Sequence, residues 1–307
     1  MSGEPIFQRV VIVGLGLIGS SLAHAIRRRW KKTTIVGCDD DPHVSKRANE
    51  LGFCDDDVTS DVLSAVADAD LVLLCVPVGA MDEVGKIIGG YLKQGCVVSD
   101  TGSVKGSVVR ALKPHIPEGV TFIPAHPVAG TEESGPDAGF AELFDGRWCI
   151  FTPSEGADES AVKKLQAFWE GCGAKVTSMN TEHHDWVLAM TSHLPHLIAF
   201  GITDSAVHLE KATEGEVVKF SAGGFRDFTR IASSNAVMWR DVFLHNREAV
   251  LEMLDHFSKD LNGLREAIKT GNANYIEDAI LRAREVREKI LEAGEDTKEP
   301  DFGRRKQ

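Results

Sequence analysis

No stretch of this chain reaches the ~18 unbroken apolar residues that a membrane-spanning helix requires. The opening residues, MSGEPIFQRV, lack the basic region and apolar core of a secretory leader. Positive charge is short as well: 34 Lys and Arg face 46 Asp and Glu, a formal net charge of −12. Nucleic-acid binding needs a basic face to neutralise phosphates, so that class of partner is not expected. The single basic run, Arg27-Arg28-Arg29-Trp30-Lys31-Lys32, ends a helical pattern and complements its dipole. Paired cysteines are missing. Cys38, Cys54, Cys75, Cys96, Cys149 and Cys172 form no C-x-x-C pair, and Cys38, Cys75, Cys96 and Cys149 fall in strand-like apolar runs. Neither a metal site nor disulfides are expected, and the chain reads as a reduced cytoplasmic protein. It also carries no internal repeat and no low-complexity segment.

What is present is 307 residues, 43% of them hydrophobic, enough for two domains. Short apolar runs at Arg9–Val13, Thr33–Cys38, Leu71–Val76, Cys96–Asp100, Thr121–Pro124, Arg147–Phe151 and Lys175–Met179 alternate with helical patterns. Those patterns cover Leu17–Arg29, His43–Leu51, Met81–Leu92, Lys105–Leu112 and Ser160–Cys172. Buried strands separated by helices predict an α/β domain with a doubly wound parallel sheet. After about Asn180 the strand runs stop. Helices are predicted over about 182–209, 214–222 and 272–292. A long amphipathic stripe, Asn235–Ile268, is either core or a dimer interface. The expected division is a Rossmann domain over 1–180, a helical domain over 181–292 and a polar tail over 293–307.

The strongest local signal is VVIVGLGLIGSSLAHAIRR at 10–28. Gly14, Gly16 and Gly19 sit between a strand and a helix that opens with Leu17 and Ile18. The first glycine permits a tight turn, the second lets the backbone approach a pyrophosphate, and the third lets helix and strand pack closely. The free N–H groups of the helix start then face the phosphates. Asp39, at the end of the second strand, suits the ribose hydroxyls and repels a 2′-phosphate. Asp40 and Asp41 add negative charge and no nearby residue is expected to offer a cation, which favours NAD over NADP; Asp41-Pro42 also reads as a helix cap. Val76-Pro77 ends the third strand, as a wall against the cofactor or as a plain terminator.

Beyond the cofactor, Ser103 and Lys105 follow the fourth strand, where they contact nicotinamide or substrate, or where Ser103 simply caps a helix. His126 stands at the end of the fifth strand, heading the glycine-rich stretch PAHPVAGTEESGPDAGF. A loop histidine is ordinarily a solvated surface residue. A run of polar groups on successive carboxyl edges argues for a shared crevice instead. In TSHLPHL, Ser192 and His196 lie four apart on one helical face, and Pro195 should kink the segment. Arg226, Asp227 and Arg230 lie among Phe225, Phe228 and Ile231. Asp227 pairs with Arg230, or the arginine grips a carboxylate through two parallel hydrogen bonds.

Taken in order, Gly14-x-Gly16-x-x-Gly19-Ser20-Ser21, Asp100-x-Gly102-Ser103-x-Lys105, His126-Pro127-x-Ala129-Gly130, Ser192-His193-Leu194-Pro195-His196 and Gly224-Phe225-Arg226-Asp227-x-x-Arg230 resemble the prephenate/arogenate dehydrogenase family. The likeness runs from about residue 8 to 290, and the 130–153 loop looks like its bacterial cyclohexadienyl branch. The resemblance implies a Rossmann domain followed by a helical domain that dimerises, with NAD as cofactor. It implies oxidative decarboxylation of prephenate to 4-hydroxyphenylpyruvate, or of arogenate to tyrosine. The histidine matching His126 would take the proton of the ring 4-hydroxyl. The arginine matching Arg230 would hold a substrate carboxylate, and Ser103, Ser192 and His196 would line the site, with His196 the mark of prephenate use. The long loop would close over the cofactor crevice. No residues remain for a fused regulatory or mutase domain, so any tyrosine feedback is expected at the active site. Two rival readings are a β-hydroxyacid dehydrogenase, whose base is normally a lysine in the helical half, and a non-catalytic NAD sensor. The His126 and Arg230 pairing argues against both.

Overall fold

The computed structural model describes residues 3–210 and 216–294. They fall into two compact units, residues 3–196 with 231–250, and residues 197–230 with 251–294. In chain order the elements are β1 (Arg9–Val13), α1 (Leu17–Arg29), β2 (Thr34–Cys38), α2 (Pro42–Leu51), α3 (Val62–Val66), β3 (Leu71–Leu74), α4 (Met81–Ile88), β4 (Val97–Asp100), α5 (Lys105–Leu112), β5 (Thr121–Ile123), β6 (Ala125–Pro127), β7 (Trp148–Phe151), α6 (Glu159–Gly171) and β8 (Lys175–Ser178). The helical remainder is α7 (Thr181–Leu188), α8 (Leu194–Glu210), α9 (Glu216–Lys219), α10 (Gly223–Thr229), α11 (Ala236–His245), α12 (Arg247–Thr270) and α13 (Ala273–Glu292).

Five strands form a parallel sheet in the order β2-β1-β3-β4-β5. The β1 strand alternates its side chains between two apolar layers: Val10 and Ile12 join one, Val11 and Val13 the other. Burial on both faces is why these strands read as continuous apolar runs. On one face α1 contributes Leu22, Ala23, Ala25 and Ile26 to the core, and Trp30 at its end stacks on Phe168 of α6 at 5.4 Å. The basic residues ending α1 find acids, Arg27 with Asp55 at 2.7 Å and Arg28 with Asp145 at 2.6 Å. All six cysteines are free, and burial pushes the thiols of Cys38, Cys54, Cys75 and Cys96 up to about 12.

Three features depart from the sequence reading. The runs near 147–151 and 175–179 do not extend the parallel sheet; β7 and β8 pair with each other and form a second sheet, β6-β7-β8. Its β6 strand, which carries His126, is antiparallel to β7 and was not predicted. The chain leaves the first sheet after Ile123: Ala125 N donates to the Asp100 carboxylate at 3.4 Å, Pro124 O accepts from Thr152 N at 2.9 Å, and Ala125–Pro127 re-pair with β7. The Asn235–Ile268 stripe is not one helix: α11 ends at His245, and the backbone of Asn246 leaves the helical region at φ −111° and ψ 31°. Finally, the expected kink at Pro195 takes the form of a π-helical turn, Ala189–His193, just before it. Proline cannot donate to the carbonyl four residues back, and a widened turn absorbs the lost bond.

In the second unit α12 and α13 are joined by Gly271 in the left-handed region, and Asn272 caps α13 by accepting from Tyr275 N at 3.2 Å. Of the predicted 214–222 helix, Glu216–Lys219 is helical; residues 214 and 215, and the tail from 295 to 307, lie outside the described residues. Among the described residues no helix is long and apolar enough to cross a membrane.

Candidate active site

The glycine-rich turn has the geometry that a dinucleotide requires. Gly14 adopts φ +93°, and a Cβ there would lie 2.7 Å from the Cys75 carbonyl oxygen and 3.2 Å from a methyl group of Val76. A Cβ on Gly19 would overlap the Gly14 carbonyl oxygen, whereas one on Gly16 would meet nothing within 4 Å. The open side of the turn is therefore at Gly16, which also starts α1 without any side-chain cap. Leu17 and Ile18 form the first turn of that helix, half-buried. Ser20 is fully buried and turns its hydroxyl back to Gly16 O at 2.6 Å.

Asp39 follows β2 and faces the same turn: one carboxylate oxygen accepts from Leu15 N at 2.8 Å, the other from Asp41 N at 3.0 Å. Burial raises its carboxyl above the ordinary value, against the pull of those two N–H groups. An open cleft beside it is lined by Asp39, Asp40, Ser45, Lys46, Glu50 and Ser60, among others. Lys46 corrects the expectation that no cation stands nearby; the helical turn of α2 brings it round, although the acids still outnumber it. Asp41 does cap α2, accepting from His43 N at 2.8 Å. Val76 lines the turn at Gly14, and Pro77 is exposed just beyond it.

The chemical groups gather around β6. His126 is buried, 7% exposed, which overturns the solvated-loop reading. Its Nδ1 lies 2.9 Å from His184 Nε2, and His184 Nδ1 lies 2.9 Å from Asp185 Oδ1. Asp185, on α7, also accepts from Lys105 N and Gly106 N, each at 2.7 Å. So it is Asp185, and not Ser103, that satisfies the start of α5; the residue before that helix is Val104, and Ser103 is half-buried beside it. Lys105 is not placed to touch a ligand. It is fully buried, its ammonium bonded to the Asp100 carboxylate and to Ala125 O at 2.6 Å, the residue before His126. Asp100 also accepts from Gly102 N at 2.8 Å.

Burial is the chief cause that holds the His126 imidazole well below its usual pKa, with His184, the Lys105 ammonium and His193 adding to it. His184 is lowered for the same first reason, although Asp185 opposes it. Burial pushes the Asp185 carboxyl up, but His184 and the two backbone N–H groups outweigh it and hold the carboxyl below the ordinary range. The cluster is thus neutral at both imidazoles and anionic at Asp185.

A second layer comes from the helical segment. His196 donates from Nδ1 to Ser192 O at 2.9 Å, and its ring stacks on Trp239 at 3.7 Å. His193 is fully buried; its Nδ1 meets Asn246 Nδ2 at 3.0 Å, and Asn246 also donates to Asp185 O at 2.8 Å. This buried amide is the reason the predicted long helix breaks at Asn246. Ser192 is half-buried in the π-helical turn. Arg230 stands in the other unit, exposed at the end of α10, as are Arg226 and Asp227. The 130–140 loop is tied to α1 and α2: Phe140 N donates to Ser21 Oγ at 3.1 Å, and Arg47 holds Asp137 at 2.6 Å. Sequence reading missed His184, Asp185, Trp239 and Asn246 as members of the site. The only trace of the first two was the run His183-His184-Asp185 in the first turns of a helix.

The imidazole cluster can accept a proton but no hydride, and the cradle is shaped for a dinucleotide. Together they define an NAD-dependent dehydrogenase. The nucleotide-binding domain model of prephenate dehydrogenase matches residues 22–178, and the dimerization domain model of the same enzyme matches residues 180–281. The chain belongs to the prephenate dehydrogenase family. It is 44% identical over 271 residues to a cyclohexadienyl dehydrogenase of Zymomonas mobilis, covering 88% of this chain and 92% of the relative. It is 33% identical to a prephenate dehydrogenase of Bacillus subtilis, over 87% of this chain and 72% of the relative. The crystal structure of prephenate dehydrogenase from Aquifex aeolicus, in complex with hydroxyphenyl propionate and NAD+, superposes with a TM-score of 0.83 at 37% identity, covering 93% of this chain and 98% of that one.

Proposed function

We propose that the chain converts prephenate to 4-hydroxyphenylpyruvate by NAD+-dependent oxidative decarboxylation, and that it also accepts arogenate, giving tyrosine. The observation that carries this reading is a buried, neutral imidazole at His126, held by hydrogen bonds in a chain of the prephenate dehydrogenase family. The phenol and carboxylate in the name of the ligand bound to the Aquifex protein support the substrate class, and the cyclohexadienyl relative supports the wider range.

NAD+ held by Gly14, Gly16, Leu17, Ile18, Gly19, Asp39, Val76 and Pro77 supplies the acceptor for the hydride lost from the ring carbon bearing the hydroxyl. His126 takes the hydroxyl proton as that carbon becomes a carbonyl. The bond from ring to carboxylate then breaks, its electron pair makes the ring aromatic, carbon dioxide leaves, and the proton returns to the phenolic oxygen. An imidazole suits this exchange because it is a base when neutral and an acid when charged. Ser103 assists beside His126, Arg230 holds a substrate carboxylate, and His196 and Ser192 line the ring site. The 130–140 loop keeps water from the reacting groups.

In this reading residues 1–180 bind NAD, 181–292 serve substrate and dimerisation, 293–307 are a polar tail, and the protein works in the cytoplasm. The second unit exposes Leu261 and Ile268 of α12 and Ile280, Leu281, Val286 and Ile290 of α13, an apolar set that suits a homodimer contact. Sedimentation of the purified protein should give one species of twice the chain mass; a monomer at micromolar concentration counts against the dimer.

The deciding experiment is NADH formation at 340 nm with prephenate and then arogenate, on wild type and His126→Asn. A general base contributes roughly 10²–10⁴-fold, so kcat should fall by about that factor while NAD+ binding is kept. Turnover of arogenate alone would reverse the substrate order. No NADH from either substrate, with NAD+ still bound, would sink the enzyme reading.

A further inference from the structure

The three linked groups His126, His184 and Asp185 admit one assignment of protons. Asp185 accepts from two backbone N–H groups and is ionised, so it can only accept from His184. His184 Nδ1, 2.9 Å away, therefore carries a hydrogen. A second hydrogen on His184 would place a cation in a fully buried site beside the Lys105 ammonium, so its Nε2 keeps a lone pair. That lone pair faces His126 Nδ1 at 2.9 Å, and His126 Nδ1 must then be the donor. A neutral His126 has one hydrogen only. Its Nε2 is left with the lone pair.

We propose that His184, oriented by Asp185, is the positioning residue that fixes the tautomer of His126 and so reserves the Nε2 lone pair for the substrate hydroxyl. This rests on the reading of His126 as the base. His184 itself touches no substrate in this scheme; it acts through His126. When His126 takes up the substrate proton, its Nδ1–H keeps the same acceptor, so the charged form is stabilised without any group moving. The anchoring is stiff as well as polar. Asp185 is bonded to the start of α5, while Lys105 in that helix is bonded to Ala125 O next to His126. The base and the group that orients it are thereby tied to one helix.

Two substitutions separate this role from simple packing. His184→Phe keeps a planar ring of similar volume and removes the acceptor. His184→Gln changes the shape but keeps the polarity, because Asp185 can only accept: the amide nitrogen must face Asp185, and the amide oxygen must then face His126. Fixing the tautomer therefore predicts that Gln retains most of kcat and that Phe lowers it by about 10²-fold, the scale of general-base assistance. KM for NAD+ should stay unchanged in both. The 15N shifts of His126 should show an unprotonated Nε2 in wild type and His184→Gln, and a mixture of tautomers in His184→Phe.

The inference is overturned if Phe retains activity, if Gln loses it as fully as Phe, or if the His126 tautomer is the same in Phe as in wild type. His126→Asn is assayed alongside. If His126→Asn keeps turnover, the base reading has failed, whatever the His184 variants do. If it is inactive while His184→Phe is active, only the positioning role has failed.

Discussion

A Cβ placed on Gly19 would overlap the Gly14 carbonyl oxygen, while one placed on Gly16 would meet no atom within 4 Å. One three-glycine motif thus holds two kinds of requirement, internal packing at Gly19 and open space for a ligand at Gly16. Gly19→Ala must push helix and turn apart, and overpacking of this kind costs about 1–3 kcal/mol, so the melting temperature should drop. Gly16→Ala fits the free protein, and Gly16 has φ −70°, which alanine adopts without strain. Its effect should appear only as weaker NAD+ binding. Thermal unfolding and an NAD+ titration of both variants check this, and an equal loss of stability in the two would refute the division. Lys105 shows the same contrast between motif and role. Placed by its motif near the chemistry, it is a buried strut between Asp100 and the backbone at Ala125. Removing one partner of such a pair leaves an uncompensated charge, so its identity is set by burial rather than by a ligand.

The elements that could be read from sequence are those whose signal is local. The β1 strand and α1 fall where the apolar run and the glycine motif put them, Arg9–Val13 and Leu17–Arg29, and α5 begins and ends at the predicted residues. What could not be read is whatever depends on a distant partner. Nothing near Lys105 says that the start of α5 is satisfied by a carboxylate 80 residues along the chain. Nothing in the helical period of 235–268 says that Asn246 turns inward to His193 and Asp185 and stops the helix. The three residues of β6 are too few for any periodicity, and only their pairing with β7 makes them a strand. Of the site, the cradle was legible because its turn needs glycines at fixed places after β1, and His126 because a histidine stands just past β5, although it lies inside β6 and not at the end of the fifth strand as expected. The partners behind His126 were not, because adjacent histidines and an aspartate in the first turns of a helix read as an ordinary polar helix start. The π-helical turn lies between these cases: Pro195 announces a disturbance, but only the structure says that the turn widens instead of bending.

For the molecule as a whole, the burial that prepares the site also sets where the fold is weak. Burial lowers the pKa of His24, His126, His184 and His193, the last to about 4. In the unfolded chain each returns to the ordinary value of about 6.5. Between the two values the unfolded state binds more protons than the folded one, so stability rises with pH and is lost as pH falls below about 6.5. The carboxyls that the fold holds low, including those of Asp70, Asp82 and Asp185, act in the same direction but only below their ordinary value near 4. Asp39, raised by burial, acts the other way just above its ordinary value near 4, where it offsets part of the histidine loss as a single group against four. The interval from about pH 6.5 to 4 is therefore dominated by the four histidines. Melting temperature followed from pH 8 to pH 4 should begin to fall near 6.5 and continue falling to 4, before the low carboxyls titrate. His193 makes the test specific, because its Nδ1 is held by Asn246 while its buried Nε2 has no hydrogen-bond partner among the described residues. His193→Gln, which cannot take up the proton, should flatten part of that decline. A melting temperature that stays level down to about pH 4.5 would mean that these imidazoles take up protons in the folded protein as readily as in the unfolded chain, and the lowering of His126 by burial would have to be abandoned with it.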